Sequence, residues 1–546
     1  MQKRLSKKAN DLFDAFFEAS TLDKKRKGSV IKVNEVISTL SFFYEKIRTA
    51  VDYREEHLLR KSAILRILKR RFVHKNKAKI IADSLVRELI RSRHLKNMSV
   101  TEETVEEISA ILNKYIFLNN QLAKRQLPGS LKKIEWLLAI SACEIDNLLK
   151  PKIVETALVN CMYDMLAKKI SLEQQGIKEG EKDIQVYIAI HRALIKSDDD
   201  ILSYHLFRLH FPNWFATPSY QTIEKIANDI DLIKDGIDRQ LNHKMANRLY
   251  QLVRKYVAPF VILKSFIEQS PENAKELFIN PPEPSLEFDP FAPPDILSLE
   301  DKLRSVCSEK YAEFKTKLRR KAVRAVIYIL LTKILLALVI EVPYELIFLS
   351  LINYPAFIVN ILVPPFLIFL VALLVRVPGE KNSDKIISGI KEIVYDDVKR
   401  KIFVKEKVLL RKRKFIFNFI FSALYLLVFS MTFGFIIWSL HKLDFNVVSG
   451  GIFIVLFSIV CFFGVSLRQS VRELILQTEK ENIITFIFDI FTLPILRFGR
   501  WISNTFSRVN VFIFIMDFLI EAPFQLMIEI IEDWIVYIKE KREEIL

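Results

Sequence analysis

The chain has 546 residues, a net charge of +17 and 51% hydrophobic residues, against roughly 45–50% in an ordinary globular protein. Twelve glycines, with neither GxxxxGK nor GxGxxG among them, exclude phosphate-cradling loops and turn-rich β folds. Four scattered cysteines without a CxxC indicate neither a disulfide frame nor a thiolate metal site, so no metal and no cofactor is expected.

Residues 1–280 read as a basic cytosolic helical domain. Met1–Lys8 is basic but leads into the amphipathic stretch Leu12, Phe13, Phe16, Phe17, so a cleavable signal is not expected. Apolar residues recur at three and four: Val30, Val33, Val36, Ile37, Leu40 and Phe43 form one helical face, and Ile80, Ile81, Leu85, Leu89 and Ile90 another. Thr101 before Glu102 and Glu103, Ser197 three before Asp200, and Ser270 before Pro271 read as helix starts.

The tract Arg60–Lys79 carries nine Lys or Arg. Its Arg60, Lys61, Arg66, Lys69, Arg70 and Arg71 are candidates for contact with anionic lipid headgroups; the bland alternative is a solvated helix face. Nucleic acid is disfavoured, because no helix-turn-helix glycine turn or aromatic RNA motif accompanies the charge. His191, His205 and His210 flank Asp198, Asp199 and Asp200, but the spacing matches no HExxH-type pair, so structural roles are expected. Trp214 and Phe215 read as packing anchors.

Six prolines between residues 280 and 294 define a Pro-rich linker, 281–296, that excludes regular helix. Residues 297–322 form a basic helix, with Ser298 and Asp301 at its start, that enters the membrane without a breaker. It is expected to tether more than to transmit. The first membrane hairpin covers 323–376, a basic cytosolic helical loop 377–414, the second hairpin 415–467, and interfacial amphipathic helices with an acidic C-terminus 468–546. The four spans, Val323–Leu349, Ala356–Arg376, Phe415–Leu440 and Gly450–Leu467, approach the ~20 apolar residues a crossing needs.

Seven Lys or Arg lie between Lys310 and Arg324 and thirteen between Arg376 and Lys414, against none in Ile352–Pro355 and one in His441–Val448. The positive-inside rule then puts both termini in the cytoplasm of a cell-membrane protein, and adds Arg411, Lys412, Arg413 and Lys414 as lipid-contact candidates. Three or six crossings remain as alternatives.

Ionisable groups inside apolar segments are functional candidates because each costs roughly 2.5–3.5 kcal/mol at the centre of a span. They are Lys333, Glu341, Glu345, Asp489, Asp517 and Glu521. Two of them sit in matching segments, Ile340-Glu341-Val342-Pro343-Tyr344-Glu345-Leu346 and Ile520-Glu521-Ala522-Pro523-Phe524-Gln525-Leu526. Such Pro-broken helices resemble the paired sites of a repeat, or match by chance.

The fold class expected is all-α, an N-terminal cytosolic helical bundle followed by a multi-spanning α-helical membrane domain. The function expected is a non-enzymatic membrane scaffold or interaction protein with the bilayer and a cytosolic protein as partners. The alternatives are a transporter or channel, then a membrane-bound enzyme; oligomeric state is left open.

Overall fold

The computed structural model describes all residues except 1–3, 23–29, 52–55, 73–76, 125–129, 173–178, 217, 282–297, 350–353, 375–378, 396–401, 405, 409–414, 472–473, 477–482, 509–521 and 546. The described chain is all-α apart from one parallel three-residue pair and two isolated bridges.

Its first part consists of α1 (Lys7–Leu22), α2 (Glu35–Val51), α3 (Glu56–Phe72), α4 (Ala78–Arg91), α5 (Glu102–Lys124), α6 (Ser130–Leu149) and α7 (Ile153–Leu166), then α8 (Glu179–Ile190), α9 (Asp199–His210), α10 (Tyr220–Leu241), α11 (Ala246–Arg254), α12 (Val257–Gln269) and α13 (Pro271–Ile279). Capping fixes several starts: Thr101 Oγ1 accepts from the Thr104 amide at 3.4 Å and Ser219 Oγ from Thr222 at 3.3 Å. The start of α9 differs by one residue from the expected one. Asp198 Oδ1 accepts from the Ile201 amide at 3.0 Å, while Ser197 Oγ instead meets His191 Nδ1 at 3.2 Å. The face expected from Val30 to Phe43 is also revised. Val30 forms an isolated antiparallel bridge with Thr101 before the helix begins, and Leu40 and Phe43 are exposed.

Three apolar cores hold these helices. One joins α3, α4, α5 and α6 around Ile64, Leu85, Leu112 and Ile145. A second joins α5, α6, α9 and α10 around Tyr115, Phe207 and Trp214. Trp214 is 0% exposed, as a packing anchor should be. The third gathers α1, α7, α11, α12 and α13, and it also takes in residues from much later in the chain.

Those later elements are α14 (Leu299–Leu336), a three-residue α15 (Val342–Tyr344), α16 (Tyr354–Leu374), α17 (Glu380–Val394), α18 (Phe415–Lys442), α19 (Val447–Val471), α20 (Ile483–Arg508) and α21 (Ala522–Ile545). Ser298 caps α14, its hydroxyl oxygen accepting from the Asp301 amide at 3.3 Å. The 38 residues of α14 span ~57 Å at 1.5 Å per residue. Its first turns bury Leu303, Val306 and Cys307 in the third core, and its later turns bury Ala325 and Ile329 against Ile368 of α16 and Val460 of α19.

The basic loop between the two apolar pairs is not a free excursion. Ile386, Ile390, Ile393 and Val394 of α17, with Phe403, are buried in the third core. The fit is close at Gly389, where a Cβ would come within 2.8 Å of Pro259 Cγ. Downstream, β2 (Glu406–Val408) pairs with β1 (Ile170–Leu172), Ile170 opposite Glu406. Leu474 closes the same core. Asn382 ties this junction together: its Nδ2 donates to Tyr311 Oη at 2.8 Å and to the Leu474 carbonyl at 2.7 Å, and its Oδ1 accepts from the Leu476 amide at 2.8 Å.

Three described helices are long and apolar enough to cross a membrane: Leu299–Phe348, Phe419–Lys442 and Val447–Ser466; α16 adds the shorter apolar stretch Ile358–Leu370. Only 6% of the apolar window of Phe419–Lys442 is buried, against 39% for Val447–Ser466. Helix α18 thus turns nearly its whole surface outward, whereas α19 sits between neighbours. One of those is α20, whose Gly499 lies so close to α19 that a Cβ would stand 2.0 Å from the Ser458 carbonyl oxygen.

Candidate functional site

The site grows from one irregularity in the first apolar helix. Pro343 has no amide hydrogen, and its ring crowds the carbonyl four residues back. The chain answers with a π-turn over Ala337–Glu341, in which the Val342 amide donates to the Ala337 carbonyl. Each four-residue step of an α-helix overshoots a full turn by about 40°; a wider i→i+5 turn takes part of that back. Lys333, Ala337, Glu341 and Glu345, four apart, accordingly share one buried stripe at 0%, 1%, 1% and 4% exposure. Leu338, Val339, Ile340, Leu346, Ile347 and Phe348 around them are exposed.

On that stripe Lys333 Nζ forms an ion pair with Glu341 Oε1. Asn360 of α16, 0% exposed, donates its Nδ2 to both Glu341 oxygens, at 3.0 and 3.1 Å. One turn on, Glu345 Oε1 accepts from Nδ2 of Asn446 at 2.7 Å, in the turn between α18 and α19. Glu345 Oε2 and Asn360 Oδ1 are buried without a hydrogen-bond partner. The group therefore combines one cation, two carboxylates and two free acceptor oxygens in an apolar setting.

Lys333, Glu341 and Glu345 thus come together, and Asp489 does not join them: it is exposed on α20. Asp517 and Glu521 lie outside the described residues, as does the half of the second Pro-containing segment that precedes Ala522. Asn360 and Asn446 escaped the sequence reading, which weighed only ionisable groups. The available signal was an amide isolated in the apolar run Phe357–Pro364.

The basic tract has other occupations. Arg60 Nε meets Asp146 at 2.6 Å, Lys61 Nζ meets Asp198 at 2.5 Å and Asp200 at 2.8 Å, and Arg66 meets Glu45 at 2.8 Å. Lys69 pairs with Glu135 at 3.0 Å, Arg70 with Glu88 at 2.5 Å, and Arg71 approaches Glu88 at 3.7 Å. Lys61 is 1% exposed, so its ammonium is an internal strut of the N-terminal turn of α9. Arg411, Lys412, Arg413 and Lys414 lie outside the described residues. Exposed cations stand instead along α14, at Lys315, Arg319, Arg320, Lys321 and Arg324, where it turns apolar.

Two further buried polar groups lie in the N-terminal helices. Lys114 Nζ meets Glu144 at 2.5 Å and donates to the Trp214 carbonyl at 3.0 Å, while Tyr115 Oη donates to the other Glu144 oxygen at 2.7 Å. Burial pushes Lys114 down and Glu144 up, and the contacts with each other and of Glu144 with Tyr115 oppose that desolvation without cancelling it. The His191 and His205 rings pack with centroids 4.6 Å apart and their planes tilted by 44°. Burial first, then neighbouring positive charge, lowers them to about 3 and about 4.

No group of three His, Cys, Asp or Glu among the described residues is placed for an ion. The four cysteines are free. An open cleft of about 710 Å³ between α1, α7 and α9 is lined by Lys8, Asp11, Lys152, Tyr163, Asp164 and Arg208 among others. Comparison with protein-family models, curated proteins and solved structures finds no match.

Proposed function

We propose that the chain is a multi-pass membrane protein without catalytic activity, in which a cytosolic helical domain serves as an interaction module fixed to two membrane hairpins. The observation that carries this reading is the shared third core. Residues from α1, α7 and α8, from α11 to α13, from the first turns of α14, from α17 and Phe403, and Leu474 all pack in it. A single packed core lies on one side of a bilayer, because the hydrocarbon layer of ~30 Å would otherwise divide it. The number of crossings between Tyr311 and Ile386 is then even, and so is the number between Phe403 and Leu474. Two hairpins, α14 with α16 and α18 with α19, satisfy this parity; three crossings do not.

The cation asymmetry supports a cytosolic side for the core. The ring stack of Tyr44 on Phe524, at 4.9 Å, supports a C-terminus on that side too. Helix α20 is read as pressed against the second hairpin, since Gly499 abuts Ser458 midway along α19. For the anionic headgroups, the exposed cations of α14 are better placed than the internally paired Arg60–Arg71 set. The interlock of α14 and α17 in one core favours rigid coupling over the loose tether expected from the sequence.

Glycosylation-acceptor mapping in microsomes tests the topology. An acceptor in the turn at residues 441–446 is expected to be modified, and one at residues 380–384 to stay unmodified; the reverse pattern overturns the reading. The scaffold role is tested by cross-linking mass spectrometry in native membranes, which should return one recurrent protein bound to residues 1–280. Failure to find any recurrent partner would remove that role.

Transport is the second reading, favoured by the burial of Lys333, Glu341 and Glu345. Flux in proteoliposomes that is lost in Glu341→Gln but retained in Asp489→Asn would support it over the scaffold.

A further inference from the structure

The buried stripe is one positive charge short. Lys333 neutralises Glu341, and Asn360 saturates the two Glu341 oxygens. Glu345 has only the Asn446 amide, on one oxygen, and its Oε2 is buried with no partner. Among the described residues, the basic groups of the α18–α19 turn, His441 and Lys442, are exposed, and Asp444 beside them is exposed as well. An uncompensated carboxylate at 4% exposure is costly to desolvate, which favours a compensating charge beside it.

We propose that Glu345 is the ligand of one small monovalent cation, a proton or an alkali ion, held at the end of the first apolar helix beside the α18–α19 turn. The donor set fits that chemistry. Its free atom is a hard oxygen, Glu345 Oε2, and a second unpartnered hard oxygen, Asn360 Oδ1, belongs to the amide that holds Glu341 one helical turn away. Hard oxygens suit alkali ions and protons, not soft metals. A divalent ion is disfavoured because only one net negative charge is on offer, the other being matched by Lys333. Access follows from position: Asn446, which holds Glu345, lies one residue from the exposed Val447 and two from Asp444.

Among the described residues, the charge beside Glu345 is limited. Its own helix contributes Lys333 and Glu341, already paired; α16 contributes the neutral Asn360; the turn contributes the neutral Asn446, with His441, Lys442 and Asp444 turned outward. Occupancy at Glu345 would stiffen the joint between the two hairpins, since Asn446 belongs to one and Glu345 to the other. The cation thereby acts as a ligand of the assembled bundle and not of the unfolded chain. The proposal rests on the membrane reading for its low-dielectric surroundings, but its test does not depend on crossing number.

The full-length protein in detergent micelles is melted in NaCl, KCl or choline chloride at equal ionic strength, and from pH 5.5 to 8.5, beside Glu345→Gln. An alkali-ion site raises the wild-type midpoint in Na⁺ or K⁺ over choline by about 2 °C at ten times the dissociation constant, with Glu345→Gln flat. A proton site makes the wild type gain on Glu345→Gln as pH falls, with no difference between salts. Parallel behaviour of the two proteins in both series means water alone fills the gap, and overturns the proposal. If Glu345→Gln does not fold, dicyclohexylcarbodiimide labelling of wild-type Glu345 decides. Labelling suppressed by Na⁺ or by raised pH supports the site; labelling insensitive to both, or absent, refutes it. A correct glycosylation map with a flat melting response would leave the topology standing and this site fallen.

Discussion

Acid should loosen the N-terminal helices through one pair of rings. His191 and His205 are held neutral, at about 3 and about 4, first by burial, and then His191 by His205 and Lys152 and His205 by Lys152 and Arg208. In the unfolded chain each takes up a proton near pH 6.5. Between pH 6.5 and about 4 the unfolded state therefore binds more protons than the folded one, and stability falls as pH falls.

At pH 5 each histidine contributes a loss of about 2 kcal/mol relative to neutral pH, so about 4 kcal/mol for the pair. That is a large part of the ~5–15 kcal/mol typical of a folded protein. The assay is a thermal melt of the full chain between pH 7.5 and 4.5, followed by near-ultraviolet circular dichroism. His191→Phe/His205→Phe keeps an aromatic pair in the cavity and removes both titrations, so its midpoint should be much flatter over this window. If wild type and double variant lose stability in parallel from pH 6.5 to 4.5, the histidines are not the cause. Glu45 does not confuse the outcome. Although burial alone would raise it, the His94 hydrogen bond and the Arg66, His94 and Arg48 charges hold it at about 2, so its contribution fades only below about pH 4.5.

Lys333→Met leaves Glu341 buried without its cation and should cost about 3–5 kcal/mol, read as a lower melting midpoint in detergent; Lys333→Met/Glu341→Gln should recover much of the loss, and failure to recover would contradict the pairing. Lys114→Met should cost a similar amount, with quenching or shift of Trp214 emission as the local readout. Gly499→Val should separate α20 from α19, because its Cβ would collide with the Ser458 backbone; an unchanged midpoint would show that the two helices are not in contact. Gly389→Val should loosen the α12–α17 contact at Pro259, seen as faster hydrogen exchange in residues 380–394 with residues 447–471 unaffected.

The sequence by itself determined the all-α class and the positions of apolar helices. Period and length are local properties, and runs such as Phe415–Leu440 allow no other reading once glycine is scarce. It also picked out Lys333, Glu341 and Glu345, because charge inside an apolar run stands out residue by residue. Only the tertiary structure decided who compensates whom. Asn360 and Asn446 are ordinary amides until folding brings them 3.0 Å from Glu341 and 2.7 Å from Glu345, and the Pro343 π-turn sets that register. The basic tract shows the same limit from the other side: nine cations in twenty residues resemble a surface patch, but carboxylates as distant as Asp146 and Asp198 take up Arg60 and Lys61. Likewise the loop after residue 376 is rich in charge, and its composition concealed the isoleucine stripe of α17, whose partner face is built by α12 and α14 from distant parts of the chain. Pairing across long sequence separations depends on which surfaces meet, and no local pattern encodes that.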